Sequence, residues 1–138
     1  MTKEFIYQFI QHQKLAVLAT CTGEVGPEAA VVGIAVTREL EIVFDTVTSS
    51  RKYVNLQHNP HVALVIGWDN ETTVQYEGIA AELNGEGSSA YKETYFDAFP
   101  DGRERAETWA GLVHFKVTPK WLRYSNFNDP VVIEEMSF

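Results

Sequence analysis

The sequence predicts a mainly β protein in which an antiparallel barrel carries a few flanking helices. About seven short apolar runs, separated by turn residues, follow one another at close spacing. Helical patterns interrupt these runs singly instead of alternating with them, which argues against a doubly wound parallel sheet. The length of 138 residues fits one domain, so we expect a single domain over residues 1–138.

The first half of the chain predicts a helix followed by an antiparallel meander. Apolar residues at three- and four-residue spacings indicate a helix over residues 2–13, with Thr2 as its N-cap. Gly33 lies inside a later apolar run, and a glycine in a strand indicates a bulge, a bend or a close backbone approach. Strands are predicted over residues 15–20, 29–36 and 40–45, with a hairpin joining the last two.

The second half predicts two helices set between further strands. A helix over residues 51–58 ends at Asn59 and Pro60, and Gly78 indicates a second bend or bulge. A polar loop or short helix is expected over residues 101–108. The other predicted elements are strands over residues 61–68, 72–83, 112–117 and 121–124 and a helix over residues 88–99.

The run AAVVGIAV, residues 29–36, is apolar on both faces of its predicted strand. Such a strand is buried on both sides within one chain, or it turns one face toward a ligand or a partner. Both interpretations stay open at the level of sequence.

Charge and cysteine content exclude several classes of function. The formal net charge of −8, with only 11 Lys and Arg residues, repels nucleic acid and anionic membrane surfaces, so neither is an expected partner. The single cysteine, Cys21, forms no internal disulfide, and the scattered histidines predict no metal site. With neither a signal-peptide pattern nor a long apolar span, the expected location is the cytoplasm.

Chemistry is concentrated where the third predicted strand gives way to a helix. Arg51 and Lys52 follow Ser49 and Ser50 at the helix start, where the positive end of the helix dipole disfavours cations. A bound anion would resolve this conflict, because backbone N–H groups, hydroxyls and two cations would converge on it, and a phosphate monoester fits best. The alternative is an ordinary serine N-cap beside solvated cations. No P-loop or GxGxxG motif is present.

Residues 13–125 resemble the pyridoxamine 5'-phosphate oxidase-like family of FMN-binding proteins. The most specific part is FDTVTSSRKYVNLQHNPHVALVIGW, residues 44–68, followed by QYEG. In that family a strand ends in a hydroxyl-rich loop, a basic pair starts a helix, an Asn-Pro pair ends it, and an apolar strand follows. The resemblance implies an antiparallel Greek-key split β-barrel with FMN as cofactor.

The resemblance also implies roles for particular residues. Ser50, Arg51 and Lys52 match the phosphate-binding positions of the family, and Thr46 matches a residue that meets the flavin or its ribityl chain. Thr73 falls where the oxidases carry a glutamine that contacts the flavin ring. For Thr46 and Thr73 the alternative is a plain strand threonine.

A further implied element is the strand on which the flavin ring lies, which corresponds to Ala30, Val31 and Val32. At Ala30 the oxidases carry a phosphate-binding arginine, so this chain has fewer cations for the phosphate. The oxidases also end in an Arg-x-His substrate motif, whereas the end of this chain offers Arg123 without it. Oxidation of pyridoxamine phosphate is therefore not the expected activity.

The resemblance implies a homodimer with FMN between its subunits, which would explain the second apolar face of residues 29–36. We expect a flavoprotein that exchanges electrons with a small molecule, with no protein residue required as acid, base or nucleophile. Tyr91, Tyr95 and Trp109 are candidates for lining its substrate pocket or, alternatively, for the core. Two other classes stay open: a non-catalytic flavin or haem binding module, and a structural protein without a cofactor.

Overall fold

One curled antiparallel sheet contains all eight strands of the computed structural model, which describes residues 1–24 and 26–138. The strands are β1 (Leu15–Thr20), β2 (Glu28–Gly33), β3 (Ala35–Val36), β4 (Ile42–Val47), β5 (His61–Ile66), β6 (Thr72–Glu82), β7 (Leu112–Asn126) and β8 (Val132–Ser137). Their order is β2-β1-β5-β6-β7-β4-β3, with β8 paired to β7. Neighbours that are distant in sequence, such as β1 with β5, give the predicted Greek-key antiparallel barrel.

The barrel is split at a break inside one apolar run. The run predicted as a single strand divides at Ile34: β2 pairs with β1, whereas β3 pairs with β4 at the opposite end of the sheet. Leu15 lies opposite Gly33, and Ala35 lies opposite Val43. The same backbone therefore joins the two ends of the curled sheet, and a cleft runs beside β2.

Among the described residues, four helices lie outside the sheet: α1 (Lys3–Gln11), α2 (Arg51–His58), α3 (Ser89–Ala98) and α4 (Gly102–Thr108). The predicted N-cap of α1 is confirmed, because Phe5 N donates to Thr2 Oγ1 at 3.1 Å. The segment left open as a loop or a short helix forms α4. None of the helices in the described ranges is long and apolar enough to cross a membrane.

Both glycine predictions are confirmed. At Gly78 the pairing register of β6 with β7 shifts by one residue, which is a bulge. At Gly33 an added Cβ would lie 2.9 Å from the ring of Phe99, so the glycine permits a close approach of the segment that follows α3.

Near the C-terminal end one sequence prediction was wrong and one strand was missed. The two closing strands form one continuous strand, β7, because Pro119 pairs with Gly78 at the bulge, where a missing N–H is tolerated. The strand β8 was not predicted at all. Glu134 and Glu135, which pair across the strands with Tyr124 and Arg123, follow one another and point to opposite faces, so its sequence lacks a clean apolar alternation.

The core fills the barrel, and a smaller cluster lies under α3. The barrel interior includes the fully buried Phe44, Tyr76 and Leu122, capped by Ile6 and Ile10 of α1. The second cluster contains Ala35, Val43, Leu83, Tyr95 and Phe96. Tyr95, one of the candidates for the substrate pocket or the core, is therefore a core residue.

Candidate functional site

The end of β4 and the start of α2 are held together by two hydroxyl groups. Thr46 Oγ1 and Ser50 Oγ lie 2.9 Å apart, and Ser50 caps α2 by accepting a hydrogen bond from Tyr53 N at 3.2 Å. The helix occupies the residues predicted for it, 51–58. Because the first N–H groups of a helix lack intrahelical acceptors, the corner between β4 and α2 offers donors to an anion.

A cavity of about 420 Å³ lies at this corner, and its lining joins residues that are distant in sequence. Arg51 and Lys52 line it from α2, and Ala29 and Ala30 line it from β2. The small alanine side chains leave room beside the two cations. The structure thus brings together four predicted site residues, Ala30, Ser50, Arg51 and Lys52, and Thr46 joins them through its hydrogen bond with Ser50.

Glu28 is a component of this corner that the sequence analysis missed. Its carboxylate forms an ion pair with Arg51 and accepts a hydrogen bond from Asn55 Nδ2 at 2.7 Å. Asn55 is buried in α2 and also donates to Thr20 Oγ1 at 2.9 Å. The lining therefore carries two cations against one carboxylate. The sequence signal for this role of Glu28 was its position two residues before Ala30, which puts both side chains on the same face of the strand.

The strand β2 turns its side chains alternately inward and outward. Val32 is buried in the barrel, whereas Val31 is 61% exposed on the outer face. Complete burial of this run within one chain, the first interpretation of its apolar pattern, is therefore wrong. The outward face is free for a ligand or a partner.

Exposed aliphatic side chains continue across the outer face from β2 to β5. Val17 of β1 lies opposite Val31 on one side and Val65 on the other. Leu15, Val31 and Val65 are exposed. We call this surface, formed by Leu15, Val17, Val31 and Val65, the aliphatic face. A contiguous apolar surface of this kind is typical of protein contacts.

Thr73 does not join the corner within one chain. Two strands, β1 and β5, separate β6 from β2 in the sheet. Thr73 also precedes Val74, which pairs across the strands with Ile66, and Ile66 in turn pairs with Ala16. These residues lie at the end of the sheet opposite to the pair of Thr20 and Glu28. Its Oγ1 is buried and has no hydrogen-bond partner in the described part of the chain. Its assignment as a flavin contact stays a prediction.

A second cavity, of about 690 Å³, adjoins the other end of β2 and is roofed by α3 and α4. It reaches Gly33 of β2 and Asp45 of β4, and its wall includes Tyr95 and the exposed Trp109. Burial, together with the charge of Asp45 and a hydrogen bond to it, raises the pKa of the Tyr95 phenol. Two of the three predicted pocket aromatics therefore line a cavity, and Tyr95 also belongs to the core.

A third cavity, of about 600 Å³ and mainly apolar, lies beside the corner. Its lining includes Cys21 and His61, and it shares Thr20 and Pro27 with the corner cavity. Within residues 1–24 and 26–138, no group of three or more His, Cys, Asp and Glu side chains is arranged to hold a metal ion.

Comparison with known proteins gives independent evidence on the family of this chain. Residues 2–126 match the family model described as pyridoxamine 5'-phosphate oxidase. A pyridoxine/pyridoxamine 5'-phosphate oxidase of Ehrlichia ruminantium (strain Welgevonden) is 32% identical over 93 residues, which cover 67% of this chain and 48% of that protein. The matched segment spans about half the length of that relative.

Solved structures share the fold at low sequence identity. A haem binding protein from Mycobacterium smegmatis superposes with a TM-score of 0.83 at 16% identity, covering 99% of this chain and 58% of the other. General Stress Protein 26 from Bacillus anthracis str. Sterne gives a TM-score of 0.74 at 20% identity, covering 99% and 98%. The split-barrel fold is therefore shared with proteins of different described roles.

Proposed function

Since the chain belongs to the pyridoxamine 5'-phosphate oxidase family, we propose that it binds FMN at the corner between β4 and α2 and exchanges electrons with a small molecule. The main support is the convergence on one cavity of Arg51, Lys52 and the small residues of β2, beside the hydroxyl-capped start of α2. A helix N-terminus with two adjacent cations suits a phosphate monoester.

The residues of the corner fit the phosphate end of FMN. Arg51 and Lys52 supply positive charge, and Ser50 and Thr46 supply hydroxyl groups in a net-acidic molecule. Ala30 leaves space where an arginine side chain would otherwise reach the phosphate. Glu28 opposes part of this positive charge through its ion pair with Arg51. The chain would therefore hold the phosphate with a smaller net positive charge at this corner than the oxidases do.

The remainder of the flavin would lie along the cleft beside β2, against the backbone of Ala30, Val31 and Val32. Bound FMN supplies hydride or single-electron transfer, which no side chain provides. The protein's part is to bind and orient the flavin and to keep water from one side of it. Val32 is buried and Phe99 packs against Gly33, so this wall of the cleft is closely packed.

We also propose that the protein is a homodimer that uses the aliphatic face as its interface. Leu15, Val31 and Val65 are exposed in the single chain, although β2 and β1 form an ordered, well-paired edge of the sheet. Burial of apolar area stabilises an interface by about 25 cal/mol per Å² before the costs of association. A partner on this face would also cover the cleft beside β2.

The visible spectrum of the purified protein and an FMN titration test the cofactor proposal. Arg51→Ala with Lys52→Ala should abolish FMN retention and leave the fold intact, because Arg51 is largely exposed and alanine favours a helix. The control is Lys3→Ala with Arg38→Ala, which removes the same charge from exposed ion pairs with Glu39 and Glu4. Equal FMN affinity in the two double variants would reject the site.

A second candidate function is haem binding without catalysis. The observation that favours it is His61, which lines the apolar third cavity and could provide an axial ligand. A similar fold occurs in a protein described as haem binding. A Soret band in the purified or haem-loaded protein, lost in His61→Ala and kept in His58→Ala, would support this function. A colourless protein that binds neither FMN nor haem would instead support a structural protein without a cofactor.

A further inference from the structure

The second cavity, beneath α3 and α4, has a charge and a lining that differ from those of the corner. Three carboxylates, from Asp45, Asp101 and Glu104, face one guanidinium, from Arg105, so its formal excess is two negative charges. Its volume of about 690 Å³ is within the range of small-molecule sites. An anionic ligand would meet repulsion on entering it.

Aromatic rings form the other part of the lining. Tyr95 and Phe99 stack with their ring centroids 4.9 Å apart, and Phe99 is held close to the backbone at Gly33. Trp109, directly after α4, is 56% exposed and turns its ring to the same cavity. An exposed indole beside carboxylates is a favourable surface for a planar cation, because cations are attracted to the face of the ring.

Arg105 indicates how such a cation would be held. Its guanidinium is itself a planar cation, and it lies 3.5 Å from Asp45 Oδ2 and 5.9 Å from the ring centroid of Trp109. Its shortest ion pair, at 2.8 Å, is with Asp101, one turn earlier on the exposed side. The contacts of Arg105 with Asp45 and Trp109 are thus long ones that a better-placed cation would replace, while the pair with Asp101 is kept.

We infer that the second cavity binds a small planar cation, such as a protonated aromatic amine or an N-alkylated heteroaromatic ring, with its charge at Asp45 and its ring against Trp109. We assign this cation as the substrate class of the proposed flavoprotein, since the cavity adjoins Gly33, directly after the strand assigned to the flavin ring. That assignment rests on the proposed function. Binding itself can be measured with or without flavin.

Isothermal titration with two probes of similar shape and opposite charge provides the test. The cation N-methylquinolinium should bind at least about tenfold more tightly than the anion 1-naphthoate, from the charge excess alone. Asp45→Asn should lower the affinity for the cation about tenfold, and Asp69→Asn, an exposed acid in the β5–β6 turn, should leave it unchanged. Equal binding of the two probes, or an unchanged affinity in Asp45→Asn, would overturn the inference.

A variant expected to gain affinity separates electrostatics from misfolding. Arg105→Ala removes the internal competitor and raises the negative excess to three, so N-methylquinolinium should bind about fivefold or more tightly than to the unaltered protein. A damaged cavity would instead lose affinity for both probes. Weaker cation binding in a folded Arg105→Ala protein, as judged by circular dichroism, would contradict the proposed role of Arg105.

The two proposals can fail separately. In the variant that combines Arg51→Ala and Lys52→Ala, FMN retention should disappear while the preference for N-methylquinolinium persists. A protein that never binds FMN but prefers the cation would retain this site and reject the flavoprotein function. A protein that binds FMN without discriminating between the probes would support the flavoprotein function and reject the cation site.

Discussion

Glu28→Gln should tighten FMN binding by about tenfold while leaving the affinity for riboflavin almost unchanged. The carboxylate of Glu28 is the single acid in the described lining of the corner cavity, where it pairs with Arg51. Glutamine removes its charge and keeps an oxygen that accepts from Asn55 Nδ2, so the partly buried hydrogen bond at 2.7 Å has a replacement acceptor. The variant therefore changes electrostatics with little change in packing.

The expected magnitude follows from the position of Glu28 on β2. Ala30 is two residues further along the same face, which is about 7 Å at the usual strand rise. A single charge about 7 Å from a phosphate of about two charges contributes roughly 1–2 kcal/mol at an effective dielectric constant of about 40–80. Each 1.4 kcal/mol is about a tenfold change in Kd, so the gain is about tenfold.

Flavin fluorescence, titrated with flavin-free protein, measures both ligands in one assay. Riboflavin shares the ring and the ribityl chain with FMN and lacks the phosphate, so the ratio of the two Kd values isolates the phosphate. Glu86→Gln removes an equal charge from an exposed turn and is the matched control. The reasoning would be refuted if Glu28→Gln left the ratio unchanged, or if it weakened FMN binding by releasing Arg51 from a useful orientation.

Three further predictions concern the barrel, a buried histidine and the proposed dimer. Gly78→Ala should destabilise the fold by about 3 kcal/mol or more in urea unfolding, since its Cβ would lie 2.5 Å from Thr118 O, whereas Gly26→Ala, in open space, should change stability by less than about 0.5 kcal/mol. Burial lowers the pKa of His114 from 6.5, so the free energy of unfolding should fall as the pH drops below about 6.5. The fall should be steeper than in His114→Gln, and an identical pH profile in that variant would contradict this. Val31→Lys should convert the proposed dimer to a monomer in light scattering, whereas Val54→Lys, at an exposed valine of α2, should not.

Local patterns predicted most of the elements correctly. The bounds of α2 followed from a serine N-cap at one end and Asn-Pro at the other, both of which act within a few residues. The bulge at Gly78 and the close approach at Gly33 were also indicated, because a strand glycine loses side-chain packing unless the backbone needs the space. The grouping of Ser50, Arg51 and Lys52 is likewise a property of adjacent residues.

Features that depend on pairing between distant segments could not be predicted in this way. The division of residues 29–36 at Ile34 depends on β1 and β4 competing for the two halves of one apolar run. Glu28 reaches Arg51 only because the register of β2 on β1 places it beside α2. The strand β8 forms despite its acidic residues, since pairing with β7 satisfies its backbone and Arg123 bonds Glu135 across the strands.

The sequence by itself determined that the chain forms an antiparallel barrel, where the short helices begin, and which cations lie at the start of α2. Each of these depends on alternation, capping or charge within a few neighbouring residues. The tertiary structure decided the net charge of the corner cavity, by setting Glu28 against Arg51, and that of the second cavity, by gathering Asp45, Asp101, Glu104 and Arg105. The charge of a cavity is a sum over residues from several elements, and only packing and strand register determine which residues contribute to it.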